Sequence, residues 1–523
     1  MSEAQVEIVI GLLVVAIPLV AMARRADVPY PITLVLGGLA LGFIPGLPDV
    51  RLDPALVLLF FLPPLLYWEA ITAPTDVMLA NLSQIGNLAV VLVVVTTLAV
   101  AAIAHAVIPG MSWPIALVLG AVVAPTDELA SAPVLERFHI PRHVIAIVEG
   151  ESLVNDAFSL VIYAAALTAA VSGTFDPGRT ALYLIAAPVG SIVVGLIVGR
   201  VAVEGWRRIR DTELQSVISL LVPFASYLPA LRVGASGVLG VVTTGVFVNR
   251  FTPIVLTPES RLRLIGFWQT FVFVANALLF LLVGLQLHDI AANVFKNNSW
   301  QSVLWATLAT NAAVILVRFG WILLSEYLPY VGASSEHSEP DVKHAIIVAW
   351  SGLRGAVSLA AALAIPLTVA GGAPFPHRDL IIFLTFSVIL VTLVGGGLTL
   401  PAATARLDVS DAGREESADL QRALAGVTKA ALEHIETLER EGRIDPEHAQ
   451  ALRARYAKLP DEGQEPSDPA ARETVRRRST AEREVIEAER RALIALRERG
   501  EIDNTVLRRV TLALDLAHSR IRN

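Results

Sequence analysis

Residues 144–171 read VIAIVEGESLVNDAFSLVIYAAALTAAV, an apolar run long enough to cross a bilayer that nevertheless carries Glu149, Glu151, Ser152, Asn155 and Asp156. A charge at mid-bilayer costs about 2.5–3.5 kcal/mol on insertion scales, so each such residue marks a candidate functional site. Helical geometry sorts these side chains. Ser152 and Asp156 stand at i and i+4 and share a face, with Asn155 beside them. Glu151 points elsewhere, about 140° around the helix from Asp156 at 3.6 residues per turn. One helix thus presents two carboxylates to different partners.

The rest of the chain has the same character. It is 54% hydrophobic and 17% charged over 523 residues, whereas a soluble domain carries about a quarter charged residues. The charge is segregated: long apolar runs fill the first four-fifths, and Arg and Glu crowd the end. This predicts a transmembrane domain over 1–409 and a helical cytosolic domain over 410–523. The absence of cysteine excludes disulfides, thiol nucleophiles and thiolate metal sites. A net charge of -7 argues against nucleic acid. The N-terminus MSEAQVEIVI lacks a basic flank and a cleavage site and reads as the first span.

A span needs roughly 20 apolar residues, and this length predicts about thirteen helices. They fall at Val6–Ala23, Ile32–Pro45, Pro54–Ala73, Leu88–Val107, Pro114–Leu135, Val144–Val171 and Ala181–Val203. Leu214–Leu231, Gly234–Val248, Leu264–Leu287, Val303–Leu324, Ala345–Val369 and Leu380–Leu400 complete the set. The runs do not alternate, which excludes a barrel. An outside N-terminus places Arg24, Arg25, Arg137, Arg142, Arg200, Arg207, Arg208, Arg210, Arg250, Arg261, Arg263 and Lys343 in cytoplasmic loops. Only Arg51, Arg179, Arg232, Lys296 and Arg378 fall outside. This bias sets the expected orientation, and an odd span count then leaves the C-terminus cytoplasmic.

Three other spans carry intramembrane polar chemistry. The third reads FFLPPLLYWEA (60–70), with Glu69 after a Pro pair. The fifth reads VVAPTDELAS (122–131), and the twelfth WSGLRGAVSL (350–359), with Arg354 between two glycines. Pro125 breaks the fifth span and frees carbonyls around Val122–Ala124. Those carbonyls and the Thr126 hydroxyl suit a desolvated ion, and Asp127 is expected near the positive end of a half-helix. Arg354 is the fixed cation deepest in another span. Glu151 is therefore expected to pair with Arg354, with Arg318 a weaker competitor, leaving Asp156 for the substrate. His105, His139, His143 and His344 are scattered at membrane borders and read as interfacial residues.

These segments resemble the monovalent cation/proton antiporters, specifically the sodium/proton exchangers of bacteria and animals. GESLVNDAFSLVIY (150–163) is similar to the family's Gly-Glu-Ser-x-x-Asn-Asp signature. FFLPPLLYWEA, VANALLFLLVGLQL (274–287), SGLRGAVSLA (351–360) and GGLTLP (396–401) match further blocks in the family's order. The resemblance implies a homodimer in the plasma membrane, with an interface domain and a mobile core of inverted repeats. Spans five and twelve would be its crossing broken helices. It implies a cation and proton site at Asp156, helped by Ser152, the Thr126 backbone and, through water, Glu69, with Asn155 ordering the site. The Glu151–Arg354 pair is also the family's pattern. No cofactor is implied, only transported sodium and protons. Two departures stand out: Glu128 follows Asp127 where the family often has Pro or Ala, and Glu69 has unusual neighbours.

Proton and cation competing for one carboxylate would couple their fluxes. With Asn rather than Asp at 155, one proton per cation and electroneutral exchange are expected. Potassium is the alternative cation. An intramembrane aspartyl protease using Asp127 and Asp156 is a remote rival, disfavoured because neither Asp lies in a Gly-x-Gly-Asp motif; a channel lacks a repeated filter loop. In the tail, TLEREGRIDPE (437–447) resembles ALRERGEIDNT (495–505). Each places a Gly to end one helix and an Asp (Asp445, Asp503) to start the next.

Overall fold

A computed structural model describes residues 3–26, 28–44, 57–128, 131, 135, 140–174, 176–327, 342–407 and 428–456. The chain divides into two compact units, Met1–Gly413 and Arg414–Asn523. In the first, the described residues are helical or connecting, apart from one isolated antiparallel bridge between Thr368 and Pro374. Nine described helices are long and apolar enough to cross a membrane, and three shorter apolar ones accompany them. The fold is therefore an all-α polytopic membrane protein.

In chain order the helices are α1 (Glu3–Ala26), α2 (Tyr30–Gly42), α3 (Leu62–Thr72, entered through a π-helical turn at Val57–Phe61), α4 (Leu82–Val107) and α5 (Trp113–Val123). Then follow α6 (Arg142–Ser172), α7 (Pro177–Arg208), α8 (Thr212–Arg232), α9 (Gly237–Val255) and α10 (Pro258–Asn297). The unit closes with α11 (Trp300–Tyr327), α12 (Val342–Trp350), α13 (Ala356–Leu363) and α14 (Arg378–Leu407). At 40 residues, α10 outruns the Leu264–Leu287 segment expected for it. That is about 60 Å of helix at 1.5 Å per residue, against a hydrocarbon core of roughly 30 Å.

In lipid there is little hydrophobic drive between helices, so close backbone approach must hold them together. Glycine provides it at the main crossing. A Cβ on Gly38 of α2 would overlap the Leu281 carbonyl of α10, and one on Gly284 of α10 would overlap the Val35 carbonyl of α2. Between α7 and α9, Thr244 donates its hydroxyl to the Gly195 carbonyl at 3.0 Å. Large apolar side chains are left outside on α1 (Ile10, Val14, Ile17) and α7 (Leu182, Ile185, Val189). Such faces would be costly in water and cost nothing against acyl chains.

Two expected spans are interrupted. The fifth is not one helix over Pro114–Leu135: α5 stops at Val123, and the chain runs non-helically through Ala124–Glu128. The twelfth is not one helix over Ala345–Val369. It divides into α12 and α13 around Ser351–Gly355, and α13 itself ends at Leu363. The two breaks meet, joined by a hydrogen bond from the Asp127 N–H to the Leu353 carbonyl at 2.8 Å. Here the first unit carries its polar interior.

In the second unit, residues 428–440 are helical and α15 spans Pro446–Tyr456. Gly442 adopts φ 69° after the first helix, and the Asp445 carboxylate caps the second by accepting from the His448 N–H at 2.7 Å. Arg453 on α15 pairs with Glu439 of the preceding helix. The related segment around Gly500 and Asp503 lies outside the described residues.

Candidate ion-binding site

The site is built where α6 passes the two chain breaks. Glu151, Ser152, Asn155 and Asp156 of α6 are each no more than 3% exposed, and Thr126 on the first break is 5% exposed. Ser152 donates its hydroxyl to the Thr126 carbonyl at 3.0 Å, and Asn155 Nδ2 donates to Thr126 Oγ1 at 2.8 Å. The Thr126 hydroxyl reaches Glu151 Oε1 at 3.4 Å. A helix terminus leaves backbone groups without intrahelical partners, and in the membrane side chains must satisfy them. The polar face of α6 does this for the break at Thr126.

The charged groups at the crossing follow the same rule. The Arg354 guanidinium donates through Nη1 to the Ala124 carbonyl just past the C-terminus of α5. Arg318 of α11 donates to the carbonyls of Val348 (2.8 Å) and Ala349 (3.0 Å) at the C-terminal end of α12. Asp127 Oδ2 accepts from the N–H of Ala356, the first residue of α13, at 2.9 Å. Cations thus sit at two helix C-termini and an anion at an N-terminus, each matching the local helix dipole. Asp127 thus caps α13 of the other broken span.

The expected Glu151–Arg354 ion pair is not formed. Glu151 instead accepts from Arg318, Nη1 to Oε1 at 2.5 Å and Nη2 to Oε2 at 3.0 Å, with both side chains at most 4% exposed. The reason lies in the glycines. A Cβ on Gly352 would overlap the Arg318 guanidinium, so the missing side chain is the slot through which Arg318 reaches α6. On the other side, a Cβ on Gly355 would overlap the Asp127 carboxylate. The Gly-Leu-Arg-Gly segment admits one cation and one anion from neighbouring elements, while its own Arg354 turns to α5.

Asp156 differs from Glu151 and Asp127. Among the described residues nothing hydrogen-bonds or ion-pairs its carboxylate, although Glu69, Asp127 and Arg354 lie within electrostatic reach. Glu69 on α3 is near enough to act on it, and the Glu69 Oε2 atom is buried without a hydrogen-bond partner. The structure therefore brings together Asp156, Ser152, Thr126, Asn155, Asp127 and Glu69.

Sequence reasoning underrated Arg318. Its signal was an arginine inside the apolar run VILVRFGWILL (314–324). It also missed Thr392 of α14, whose hydroxyl accepts from the Arg354 N–H at 3.1 Å. Of the histidines read as scattered, His143 and His344 have ring centroids 5.6 Å apart, joining the first turns of α6 and α12.

Residues 9–406 match the family described as "Sodium/hydrogen exchanger, transmembrane". An uncharacterized Na(+)/H(+) exchanger of Mycobacterium tuberculosis is 33% identical, the match covering 97% of this chain and 95% of that protein. A sodium, potassium, lithium and rubidium/H(+) antiporter of Bacillus subtilis is 30% identical over 72% of this chain and 58% of its own length. Among solved structures, the sodium proton antiporter MjNhaP1 of Methanocaldococcus jannaschii superposes with a TM-score of 0.61 at 20% identity. That superposition covers 77% of this chain and 98% of the archaeal one, and so concerns the fold. With a family match over nearly the whole membrane unit and a full-length relative at this identity, the chain belongs to the family of sodium/hydrogen exchangers.

Proposed function

We propose that this sodium/hydrogen antiporter exchanges its two ions at a single carboxylate, Asp156. The observation that carries this is the contrast along one helix. Glu151 is neutralised by a two-pronged arginine, whereas Asp156 is equally buried and has no fixed cation bound to it. A buried carboxylate without a basic partner is too costly to remain charged, so it must take up a proton or a cation. It cannot hold both productively, and that exclusion couples the two fluxes.

Ser152 and the Thr126 carbonyl, adjacent to each other at 3.0 Å, supply neutral oxygens for a partly dehydrated sodium ion. Asn155 fixes Thr126, and Glu69 completes the rim. With one exchanging carboxylate in the Asn155–Asp156 pair, one proton moves per cation and exchange is electroneutral. Alternating access follows from movement of the elements around the crossing breaks once the charge on Asp156 is neutralised. The protein functions as a homodimer, with its N-terminus outside and its C-terminus in the cytoplasm, as the basic residues of its loops suggest. The unit beyond residue 413 is a regulatory or dimer-supporting appendage.

Membership of a transporter family removes the aspartyl protease reading and requires no cofactor, since the ions are cargo. Sodium is favoured over potassium as the principal cation by the family itself. The test is purified protein in liposomes containing a pH-sensitive dye, with sodium, lithium, potassium and rubidium salts added in turn. Wild type should show cation-driven proton flux, sodium included. Asp156→Asn should show none, and normal exchange by that variant would end the assignment.

A further inference from the structure

Between α11 and α14 the helices do not close on one another. A cavity of about 470 Å³ lies there among the described residues, and the second chain break forms its inner wall. Ile315 and Phe319 of α11, Val391 of α14, and Trp350 and Leu353 beside the break line it. Missing side chains leave the space. Gly352, Gly395 and Gly396 all border the cavity, and a Cβ on Gly395 would meet nothing within 4 Å. Along this wall α14 is π-helical over Val391–Gly396. Such turns are rare and recur at functional positions.

Depth and lining decide what the cavity can hold. Ile315 and Val391 stand near the middles of two spans and are exposed, so the mouth opens sideways at membrane depth. The polar groups along the wall are already engaged. Trp350 Nε1 donates to Thr399 Oγ1 at 2.8 Å, and Thr392 Oγ1 donates to the Val388 carbonyl at 2.8 Å. All three guanidinium nitrogens of Arg318 donate to Glu151, Val348 or Ala349. Water needs about two to four polar partners and finds too few here. An α-helix is about 10–12 Å wide, and a single turn of one takes up roughly 500 Å³, so a span from a second copy does not fit. At about 30 Å³ per methylene, close to the share of a water molecule, the cavity holds a straight chain of about fifteen carbons. Left empty, its lining would forfeit dispersion contacts on one whole side.

We propose that this cavity binds one straight acyl chain of a bilayer phospholipid, which packs against Leu353 and braces the second chain break from the lipid side. Leu353 already fills the place of a side chain at Gly396, where a Cβ would overlap it. Hydrogen bonds to Asp127 and Ala124 hold the break on its inner side. The acyl chain holds the outer side. None of this depends on which carboxylate carries the ions.

The test uses the full-length protein, purified and delipidated in detergent, with an equimolar phosphatidylcholine that carries a diazirine midway along a straight chain. After irradiation, mass spectrometry should find the label concentrated on Ile315, Phe319 and Val391, above the exposed apolar face of α1 (Ile10, Val14, Ile17). Gly395→Phe places a ring in the open space and should lower the cavity label about tenfold, because a close-packed interior has no room for the chain. Label on α1 should not change. Unlabelled straight-chain phosphatidylcholine should compete, and its methyl-branched phytanoyl counterpart should compete much less. Straight-chain lipid should also raise the melting temperature of wild type more than that of Gly395→Phe. If Gly395→Phe does not fold, Ile315→Trp at the mouth is read by the same criteria. Label spread alike over α1 and the cavity, or undiminished in the filled variant, would overturn the site. Equal melting shifts in the two proteins would remove the brace, and preference for a free diazirine fatty acid would refute the assignment to phospholipid.

Discussion

Glu151 of α6 is locked to Arg318 of α11 by two parallel N–H to oxygen bonds at 2.5 and 3.0 Å, and Arg318 in turn holds the C-terminal carbonyls of α12. Three elements therefore meet at one guanidinium. Arg354, the cation that the linear sequence places deepest in a span, serves a separate junction at the end of α5.

A double-mutant cycle separates the two arginines. Removing one partner of a buried pair leaves an uncompensated charge and costs about 3–5 kcal/mol. Glu151→Gln and Arg318→Met should each destabilise the detergent-solubilised protein strongly, with the double variant recovering a large part of the loss. Glu151 and Arg354 should behave nearly additively, because they share no direct bond. Strong coupling of Glu151 to Arg354 and none to Arg318, read from thermal unfolding, would contradict the pairing. Lysine at 318 should not rescue, since it cannot offer a planar two-pronged donor.

How much of this was legible follows from what fixes each feature. Apolar length alone locates the helices, and a proline after Ala124 marks the first break. The relation among Glu151, Ser152, Asn155 and Asp156 is a property of one helix, so 3.6 residues per turn suffices to sort them. The partner of Glu151 is different. It depends on how α11 and α12 sit against α6, and two arginines of like chemistry compete. What decides between them is an absence, the missing side chain at Gly352. Asp127 illustrates the same limit: its place beside a helix start could be anticipated, but the helix it caps is far away in the chain.

The two glycines of the Gly-Leu-Arg-Gly segment give a steric test. Gly352→Ala and Gly355→Ala each place a methyl group where Arg318 or Asp127 already sits. Overpacking of this kind costs about 1–3 kcal/mol, and more where a charge must move. Both variants should lower the melting temperature and exchange activity. Gly11→Ala and Gly86→Ala, where a methyl would meet nothing, should be neutral or slightly stabilising in their helices. Equal effects at all four positions would count against the slot geometry.

Competition at Asp156 fixes the sign of the pH response. On the acid side, where the carboxyl is mostly protonated, each unit fall in pH leaves about one-tenth as much carboxylate for sodium, so the apparent KM should rise about tenfold per unit. The maximal rate at saturating sodium should change far less on that limb. A KM that stays flat while the maximal rate collapses would point to a regulatory titration elsewhere. The measurement is initial flux against sodium concentration at four or five pH values, with potassium and valinomycin clamping the voltage.

Asp127 can be separated from Asp156 by the chemistry that each role requires. A residue that caps α13 needs an acceptor oxygen, and asparagine supplies one. A residue that binds the transported ion needs a charge that a proton can replace, and asparagine has none. Asp127→Asn should therefore fold and keep measurable exchange, while Asp127→Ala loses the acceptor for the Ala356 N–H and with it about 1–2 kcal/mol. At Asp156 the order differs, with asparagine as inactive as alanine while both proteins fold. If Asp127→Asn instead abolished exchange in a protein of unchanged melting temperature, Asp127 would have to be counted with Asp156 as a carrier of charge. The crossing would then bind ions at two carboxylates rather than one.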